Sequence, residues 1–395
     1  MQELIKIVLK SGKDQSMLRF HPWVFSGAIK KIYGSVKEGD LVKVYNNKDQ
    51  YLGTGHYQPG SIAIRIVTFN DEPVDDAFWF NRIEKAWNWR LTAGLHHEQN
   101  NIFRMINAEG DQMPGLVVDF YNGILVFQAH SMGMYAIRDV LVKAFKEILG
   151  EKLTAVYDKS ESTLSYKADG RQPNSYLYGK GQGKAAVENG LLFKIGWETG
   201  QKTGFFIDQR ENRELLSNYS RDKKVLNMFG YTGGFSVYAL AGKAKLVHSV
   251  DSSGPAIDLT RENVALNFAD ASNHEAYCTD AFKYLEEMEE NAYDVIVLDP
   301  PAFAKHHNVL NNALQGYKKL NSKAIAKIAP GGILFTFSCS QAVSRENFRK
   351  SVFTAATHSG RAVQILHQLT QPVDHPVSIY HPEGEYLKGL VVRVD

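Results

Sequence analysis

Short strands separated by turns dominate residues 1–72 of the chain. Polar and apolar residues alternate over 41–45, and further strand patterns cover 51–57 and 62–67. The polar turn 46–49 separates the first two of these segments. The pattern predicts a small β-rich barrel as the first domain.

Residues 73–185 combine helical and strand patterns, which predict a small central α+β domain. Trp79, Ile83 and Trp87 recur at helical spacing. The stretch 165–185 is rich in Gly, Lys, Gln and Asn, so we expect an exposed loop or linker there. Strands are predicted at 116–120, 124–129 and 155–158, and helices within 76–95 and over about 135–148.

From residue 186 onward, apolar β-branched runs alternate with helical patterns. The runs 295–298 and 333–337 are almost entirely apolar, as expected of strands buried on both faces of a parallel sheet. The alternation predicts a doubly wound α/β domain over 186–395. The predicted strands are 225–228, 245–250, 275–278, 295–298 and 333–337, and the predicted helices are 234–241, 256–268, 281–290 and 317–328.

Length and composition are those of an ordinary globular protein. A chain of 395 residues favours two or three domains, and 44% hydrophobic residues provide for more than one core. Two cysteines are too few for a disulfide scaffold. No apolar stretch reaches the ~20 residues that span a bilayer, and the N-terminus lacks the apolar core of a signal peptide. We therefore expect a cytoplasmic protein with free thiols and no membrane partner.

The distribution of charge says more about partners than the formal net charge of +2. Residues 1–31 contain six lysines and arginines against two acidic residues, and Lys6, Lys13 and Arg19 are among them. Such a basic patch suits a nucleic-acid phosphate backbone. A solvated surface explains the same charges equally well.

A strand, a glycine-rich turn and a helix follow one another over residues 225–241. The turn lacks the G-x-G-x-x-G spacing of dinucleotide sites, and the chain has no G-x-x-x-x-G-K-[ST] phosphate loop. Asp251 and Asp280 follow the next two strands, where a carboxylate can accept ribose hydroxyls or lie near an adenine edge. A nucleotide site without a phosphate-gripping loop favours S-adenosylmethionine over NAD or ATP.

Asp208, Gln209 and Arg210 bring an acid, an amide and a guanidinium together just before a helix. Helix capping by Asp208 is an alternative that is compatible with ligand contact, and the glycine turn with its carboxylates could be an ordinary helix entry. The residues predicted to contact the cofactor are Asp208, Gln209, Arg210, Phe229, Tyr231, Thr232, Gly233, Asp251, Ser252, Asp280 and Asp299.

Two further motifs follow buried strands and should meet at one edge of the sheet. In Asp299-Pro300-Pro301-Ala302-Phe303 the prolines fix φ, so Asp299 is directed and Phe303 can stack on a base. Cys339 lies between two serines, where a thiolate could act as a nucleophile. The alternatives are a rigid loop with a core phenylalanine and a core thiol. Predicted catalytic residues are Cys339 and Asp299, and predicted substrate contacts are Pro300, Phe303, Lys6, Lys13 and Arg19.

The remaining candidates predict no further chemistry. Cys278 also ends a strand, but its neighbours would not stabilise a thiolate, so it is interpreted as structural. The pairs His96-His97 and His306-His307 have no accompanying cysteine cluster, so no metal site is predicted.

The order of these motifs resembles bacterial class I S-adenosylmethionine-dependent ribosomal RNA methyltransferases with an N-terminal PUA domain, closest to the large-subunit cytosine-C5 branch. The match spans nearly the whole chain. It rests on residues 21–29 (HPWVFSGAI), 203–210 (TGFFIDQR), 229–236 (FGYTGGFS), 249–253 (SVDSS), 299–303 (DPPAF), 337–340 (FSCS) and 382–390 (PEGEYLKGL). Gly230 departs from the larger residue expected there, and the Asp-Pro-Pro segment lacks the cysteine of another group, so Cys339 alone would supply thiol chemistry.

The resemblance implies a PUA-like RNA-binding domain over 1–72, a central α+β domain over 73–185 and a Rossmann-like methyltransferase domain over 186–395. It also implies ribosomal RNA as partner and a homodimer. Our hypothesis is 5-methylcytosine formation through a covalent Cys339 adduct. The alternatives are methylation of a guanine or adenine nitrogen, which needs no thiol, and a non-catalytic RNA-binding assembly factor. A small-molecule methyltransferase is less favoured because it would leave the first domain without a role.

Overall fold

The computed structural model describes residues 4–165, 170–181, 185–303 and 309–395. The chain divides into two compact units. The first comprises Met1–Ala186, Ile195–Phe205 and Val373–Gly384, and the second comprises Val187–Lys194, Phe206–Pro372 and Glu385–Asp395. Two short segments of the predicted third domain thus belong to the first unit, and the three-domain division stays a prediction. Within the described residues, no helix is long and apolar enough to cross a membrane.

A six-stranded sheet opens the first unit. Its strands are β1 (Ile5–Leu9), β2 (Trp23–Phe25), β3 (Ile29–Tyr33), β4 (Leu41–Tyr45), β5 (Tyr51–Tyr57) and β6 (Ile62–Thr68), with the short helix α1 (Gln15–Leu18) between β1 and β2. The order is β2-β6-β5-β4-β1-β3, and only β1 and β4 are parallel. Ile7, Val42 and Ile64 are fully buried in its core. The three strands predicted here are confirmed.

A five-stranded sheet and two main helices complete the first unit. The elements are α2 (Asp76–Thr92), β7 (Ile102–Asn107), β8 (Leu116–Tyr121), β9 (Ile124–Ala129), α3 (Met132–Ala136), α4 (Arg138–Leu149), β10 (Ala155–Asp158) and β11 (Ser175–Gly179). The strand order is β11-β10-β9-β8-β7. Trp87 of α2 and Phe145 of α4 are buried with Phe103 and Phe127 of the sheet, so the helical spacing seen in the sequence marks the face that packs on the strands.

Two predictions for this region need correction in detail. The single helix predicted over 135–148 is two helices, because Ile137, at φ −96° and ψ 10°, leaves helical geometry between them. The stretch predicted as an exposed loop contains β11, which pairs antiparallel with β10 and sets the ring of Tyr176 4.9 Å from that of Tyr157. The polar residues around this short edge strand hide its pattern.

The second unit is built on a seven-stranded sheet. Its elements are β12 (Ala186–Glu188), β13 (Leu191–Phe193), α5 (Arg210–Asn218), β14 (Lys224–Met228), α6 (Gly234–Ala241), β15 (Leu246–Asp251), α7 (Gly254–Asn267), β16 (His274–Cys278), α8 (Ala281–Glu287), β17 (Val295–Leu298), α9 (Leu310–Lys327), β18 (Gly332–Ser338), α10 (Arg345–Ser359), β19 (Val363–Leu369) and β20 (Lys388–Val394). The order of the large sheet is β16-β15-β14-β17-β18-β20-β19, and β12 pairs with β13. The first five strands in that order are parallel, which confirms the predicted doubly wound α/β fold.

The sheet ends in an antiparallel pair that the sequence did not reveal. β20 pairs antiparallel with both β18 and β19, so that Ser338 at the end of β18 lies opposite Lys388 at the start of β20. β19 is an edge strand with no fully buried residue, and it therefore lacks the apolar run that marks the inner strands. This pair brings Lys388, the first residue of β20, to the edge where β17 and β18 end, and places Val394 at the opposite edge beside Gly332.

A buried arginine joins the C-terminal segment of the first unit to its second sheet. Arg90 is fully buried and forms two parallel hydrogen bonds with Asp111, of 2.6 and 2.7 Å. It also donates to the carbonyl oxygens of Asp374 at 2.9 Å and Arg104 at 2.8 Å. The Asp374 carboxylate in turn accepts the Arg104 N–H at 2.9 Å. Since every partner is buried or partly buried, the network is costly to break.

We expect Arg90→Met to lower the free energy of unfolding by about 3–5 kcal/mol, because it leaves the buried Asp111 carboxylate without its cation. Urea denaturation of the purified protein measures the change. The control is Arg261→Met, whose ion pair with Asp258 is exposed and should contribute less than about 1 kcal/mol. Equal, small losses in the two variants would contradict the prediction.

Candidate active site

Three neighbouring parallel strands end together at one edge of the large sheet. Leu298, the last residue of β17, pairs with Met228 of β14 on one side and with Thr336 of β18 on the other. The residues that follow these strands, including Asp299 and Cys339, therefore lie at the carboxyl edge of the sheet. Ligands of open α/β sheets bind at this edge.

The turn between β14 and α6 is held in an unusual backbone conformation. Phe229, Tyr231 and Gly233 have φ values of 60°, 46° and 75°. A Cβ on Gly233 would lie 2.8 Å from Cγ2 of Thr260, so both the φ and the space require glycine. Thr260 also donates its hydroxyl to the Tyr231 carbonyl at 2.9 Å. Non-glycine residues with positive φ persist where the surroundings fix them, often at ligand sites.

The carboxylate of Asp251 is tied to this turn. Its Oδ2 accepts the Tyr231 N–H at 3.0 Å, and its Oδ1 accepts the Ser253 N–H at 2.9 Å. Each oxygen keeps a second lone pair, so the half-buried carboxylate can still accept the hydroxyls of a ribose. Thr232 is buried beside it, where its carbonyl accepts from Asn263 at 2.8 Å. The turn and this acid therefore fit the adenosine part of S-adenosylmethionine.

Two other predicted cofactor residues lie farther along the edge. Asp280 is exposed and caps α8, with its Oδ1 accepting the Lys283 N–H at 2.9 Å. Ser252 is exposed, and its carbonyl lies 3.6 Å from the Cys278 Sγ. Capping thus accounts for Asp280 structurally, and contact of Asp280 or Ser252 with the cofactor stays a prediction.

Residues just before α5 reach the same edge from the other side. Gln209 is buried and donates from Nε2 to Oδ2 of Asp299 at 3.0 Å, while its Oε1 accepts from Asn212 at 2.6 Å. Asp208 accepts the Tyr386 hydroxyl at 2.7 Å, and Arg210 is buried. The structure thus joins two of the predicted residues, Gln209 and Asp299, through a direct hydrogen bond.

The thiol of Cys339 lies beside the Asp-Pro-Pro segment. It is partly exposed, and its Sγ is 3.9 Å from the Pro300 carbonyl oxygen. Lys388 is 6% exposed and donates from Nζ to the Ser340 carbonyl at 2.7 Å. Burial lowers the pKa of Lys388 to about 8, and the negative charge of a Cys339 thiolate opposes that shift. The charge of the Lys388 ammonium favours the thiolate form of Cys339, which is the nucleophilic form of a cysteine.

Phe303 and Pro300 occupy different settings in this segment. The Phe303 ring is partly buried and lies 4.7 Å from the Tyr317 ring of α9, so one part of it packs on the core. The Pro300 ring is buried. Tyr317 also shares a 2.9 Å hydrogen bond with the Ser340 hydroxyl, which links the segments that follow β17 and β18. Contact of Phe303 or Pro300 with a substrate stays a prediction.

The predicted basic contacts belong to the first unit. Lys6 forms an ion pair with Asp49 and lies 4.7 Å from the centre of the Tyr45 ring, whereas Lys13 and Arg19 are exposed. Their contact with a substrate stays a prediction.

The other cysteine and the histidine pairs lie apart from these contacts. Cys278 is exposed at the end of β16. His96 packs its ring 5.4 Å from that of Trp87, and His306-His307 lies outside the described residues. No group of three potential metal ligands is found among the residues that the structure describes.

Sequence reasoning missed three residues that complete the site. Tyr386, Lys388 and Asn212 contact Asp208, the Ser340 backbone and Gln209 respectively. The one available signal was Lys388, which precedes the apolar run 389–392. A lysine buried with such a run requires a hydrogen-bond partner for its ammonium group. The pairing of β20 with β18 provides that partner.

Comparison with known families supports the cofactor assignment. Residues 140–380 match a family model described as S-adenosylmethionine-dependent methyltransferase, and residues 7–69 match a PUA-like domain. The chain belongs to the family of S-adenosylmethionine-dependent methyltransferases. The predicted cofactor, the Rossmann-like fold and the PUA-like N-terminal domain are thereby confirmed.

Within that family, the chain is similar over nearly its whole length to proteins named ribosomal RNA large subunit methyltransferase I. The protein from Aeromonas salmonicida is 40% identical over 393 residues, which are 98% of each chain, and that from Alteromonas mediterranea is 39% identical over 395 residues, again 98% of each. A solved structure from Streptococcus mutans, assigned as a SAM-dependent methyltransferase, has a TM-score of 0.84 at 23% identity and covers 99% of this chain and 100% of its own. That structure supports the fold alone.

We expect Asp251→Asn to weaken S-adenosylmethionine binding by about tenfold or more, because an amide replaces one of the two acceptor oxygens. Isothermal titration with S-adenosylhomocysteine measures the affinity. Asp258→Asn removes an exposed carboxylate from α7 and is the control. Unchanged affinity in Asp251→Asn would exclude this carboxylate from the cofactor site.

Proposed function

We propose that this protein is an RNA methyltransferase that forms 5-methylcytosine in large-subunit ribosomal RNA through a covalent Cys339 adduct. The relatives named above support the class of substrate. The observation that supports methylation of carbon rather than nitrogen is the partly exposed thiol of Cys339, whose Sγ lies 3.9 Å from the Pro300 carbonyl oxygen. The next residue, Ser340, accepts a hydrogen bond from Lys388 at its carbonyl oxygen. The protein would act in the cytoplasm, as a homodimer.

The chemistry requires a nucleophile because C5 of cytosine is too electron-poor to attack a methyl donor unaided. The Cys339 thiolate forms a bond to C6, and the C5=C6 electron pair moves into the ring as N3 takes a proton from the Asp299 carboxyl group. S-adenosylmethionine, when bound, would supply the methyl group to C5 and leave as S-adenosylhomocysteine, while the C4=N3 bond re-forms and N3 returns its proton to the Asp299 carboxylate. A base then removes the C5 proton, the C5=C6 bond re-forms, and the Cys339 thiolate leaves.

The surroundings of Asp299 suit this role. The Gln209 side-chain amide donates a hydrogen bond to Oδ2 of Asp299, and Asn212 donates to Oε1 of Gln209. These two hydrogen bonds fix the orientation of the Asp299 carboxylate. The prolines that follow remove two backbone donors and restrict φ, which keeps the segment stiff. A positioned carboxyl group can thereby exchange a proton with the N3/N4 edge of a cytosine.

RNA binding would begin in the first unit. A PUA-like domain and the exposed Lys13 and Arg19 offer shape and positive charge to a folded RNA. Contacts of this kind are made mostly to phosphates, so affinity should fall steeply with salt.

We expect Cys339→Ala to abolish methyl transfer, with a loss of about a thousandfold or more in rate, while S-adenosylmethionine binding is retained. The assay is transfer of a labelled methyl group to ribosomal RNA, followed by mass analysis of the nucleosides. Cys278→Ala is the matched control, because its thiol is also at a strand end but exposed. RNA containing 5-fluorocytidine should in addition trap wild-type protein covalently, since fluorine cannot leave as the C5 proton does.

Three outcomes would contradict the proposal. An unchanged rate for Cys339→Ala would exclude the covalent mechanism and favour methylation of a ring or exocyclic nitrogen. A methylated guanine or adenine would identify that alternative directly. Cofactor binding without methyl transfer to any ribosomal RNA by wild-type protein would indicate an assembly factor.

We expect Lys388→Met to move the acidic limb of the pH–rate profile to higher pH, because a buried ammonium next to Cys339 favours the thiolate. Burial lowers the pKa of Lys388 from 10.5 to about 8. The positive charge that favours the Cys339 thiolate is therefore present below pH 8 and lost above it. Lys388→Arg, which keeps the charge, should restore the position of the limb. A uniform loss of rate at every pH would indicate a merely structural role for Lys388.

A further inference from the structure

An aromatic groove of about 440 Å³ lies in the first unit. Phe20 and Tyr380 line it and are 49% and 51% exposed, which is unusual for large rings. Their ring centres are 5.3 Å apart, and Phe69 lies 5.3 Å from Phe20 on its other side. Rings gathered in contact but left half in solvent form a surface on which another flat ring can stack.

The backbone at Phe20 has a strained, left-handed conformation. Phe20, two residues beyond the end of α1, has φ 60°. Its N–H donates to the Met17 carbonyl at 2.9 Å, and the His21 N–H donates to the Ser16 carbonyl at 3.0 Å. This is the left-handed helix end at which glycine is usual. An aromatic side chain there adds backbone strain and exposes apolar surface, two costs that folding alone does not explain.

Tyr380 is presented by a firmly held segment. Arg90 binds the Asp374 carbonyl, and Asn107 donates to the Pro376 carbonyl at 2.9 Å. The backbone of this segment passes so close to Gly110 that a Cβ on Gly110 would collide with the Pro376 carbonyl oxygen. The ring of Tyr380 therefore projects from a fixed backbone, next to Ile379, whose side chain is 88% exposed.

The polar groups of the groove favour a polyanion that carries aromatic bases. Arg82 lines it and donates to the Val67 carbonyl at 3.1 Å, and exposed Arg19 precedes Phe20 in the chain. The acid in the lining, Glu109, accepts the Trp23 indole N–H at 2.8 Å. The exposed side-chain amide of Asn70 forms no hydrogen bond within the described part of the chain and can donate to and accept from a base edge.

We propose that this groove is a second RNA-binding site, which stacks one unpaired base of the RNA substrate against Phe20 and Tyr380. The inference rests on the proposed function for the class of ligand and adds a base-reading contact to the phosphate contacts proposed for the first unit. Stacking on aromatic side chains is how proteins hold unpaired bases.

The test is fluorescence anisotropy of the full-length protein with a short single-stranded RNA and with a blunt duplex of the same sequence, at one fixed salt concentration. Phe20→Gly removes the ring and relieves the backbone, so it should fold at least as well as wild type. Tyr380→Leu keeps an apolar side chain without an aromatic face. Each should lose about fivefold or more in affinity for the single strand, whereas the duplex should bind unchanged.

Aromatic replacements and a distant ring give the controls. Phe20→Trp and Tyr380→Phe should bind the single strand like wild type, and so should Phe353→Leu, which removes a ring that is 70% exposed on α10 of the second unit. The stacking site is refuted if Phe20→Gly and Tyr380→Leu bind the single strand as tightly as wild type. It is also refuted if these variants lose affinity for the duplex and the single strand equally. If wild-type protein binds neither RNA, the groove is not a stacking site for unpaired bases, whereas methyl transfer to ribosomal RNA is measured separately and decides the proposed function.

Discussion

Backbone pairing between the parallel strands β14, β17 and β18 is the constraint on which the candidate active site depends. Because Met228, Leu298 and Thr336 lie in one row of hydrogen-bonded partners, the segments after these strands cannot avoid one another. The glycine turn, the Asp-Pro-Pro segment and the Cys339 segment are adjacent for that reason, although more than a hundred residues separate the first from the last. A slip of one residue in either pairing would turn every side chain of that strand to the opposite face.

The parts of the structure that were predictable are those with a local signal. Fully buried parallel strands are continuous apolar runs, so β17 and β18 were visible in the sequence, and Asp299 and Cys339 followed from where those runs end. Long-range contacts left no such trace. Tyr386 meets Asp208 across 178 positions, and Lys388 meets the Ser340 carbonyl across 48, both by way of the antiparallel return of β20. Neither contact can be deduced from residue type or spacing.

Stiffness is distributed around the site rather than located in one residue. Three of the converging segments are conformationally restricted. Phe229 and Tyr231 are held at positive φ, two prolines follow Asp299, and Gln209 is fixed by hydrogen bonds. Chemistry that needs a base, a carboxyl group and a methyl donor in a common geometry benefits from such restriction, since little ordering is left to occur on binding. The partly exposed thiol of Cys339 lies among these restricted segments.

The division of the chain has a consequence for its covalent integrity. The backbone passes from one compact unit to the other five times, near residues 186, 194, 205, 372 and 384. No single scission therefore yields two fragments that each hold all of one unit. A split gene or a protease nick at any of these passages would leave at least one fragment that contains segments of both units. The two units should accordingly be inherited, synthesised and exchanged in evolution as one indivisible polypeptide.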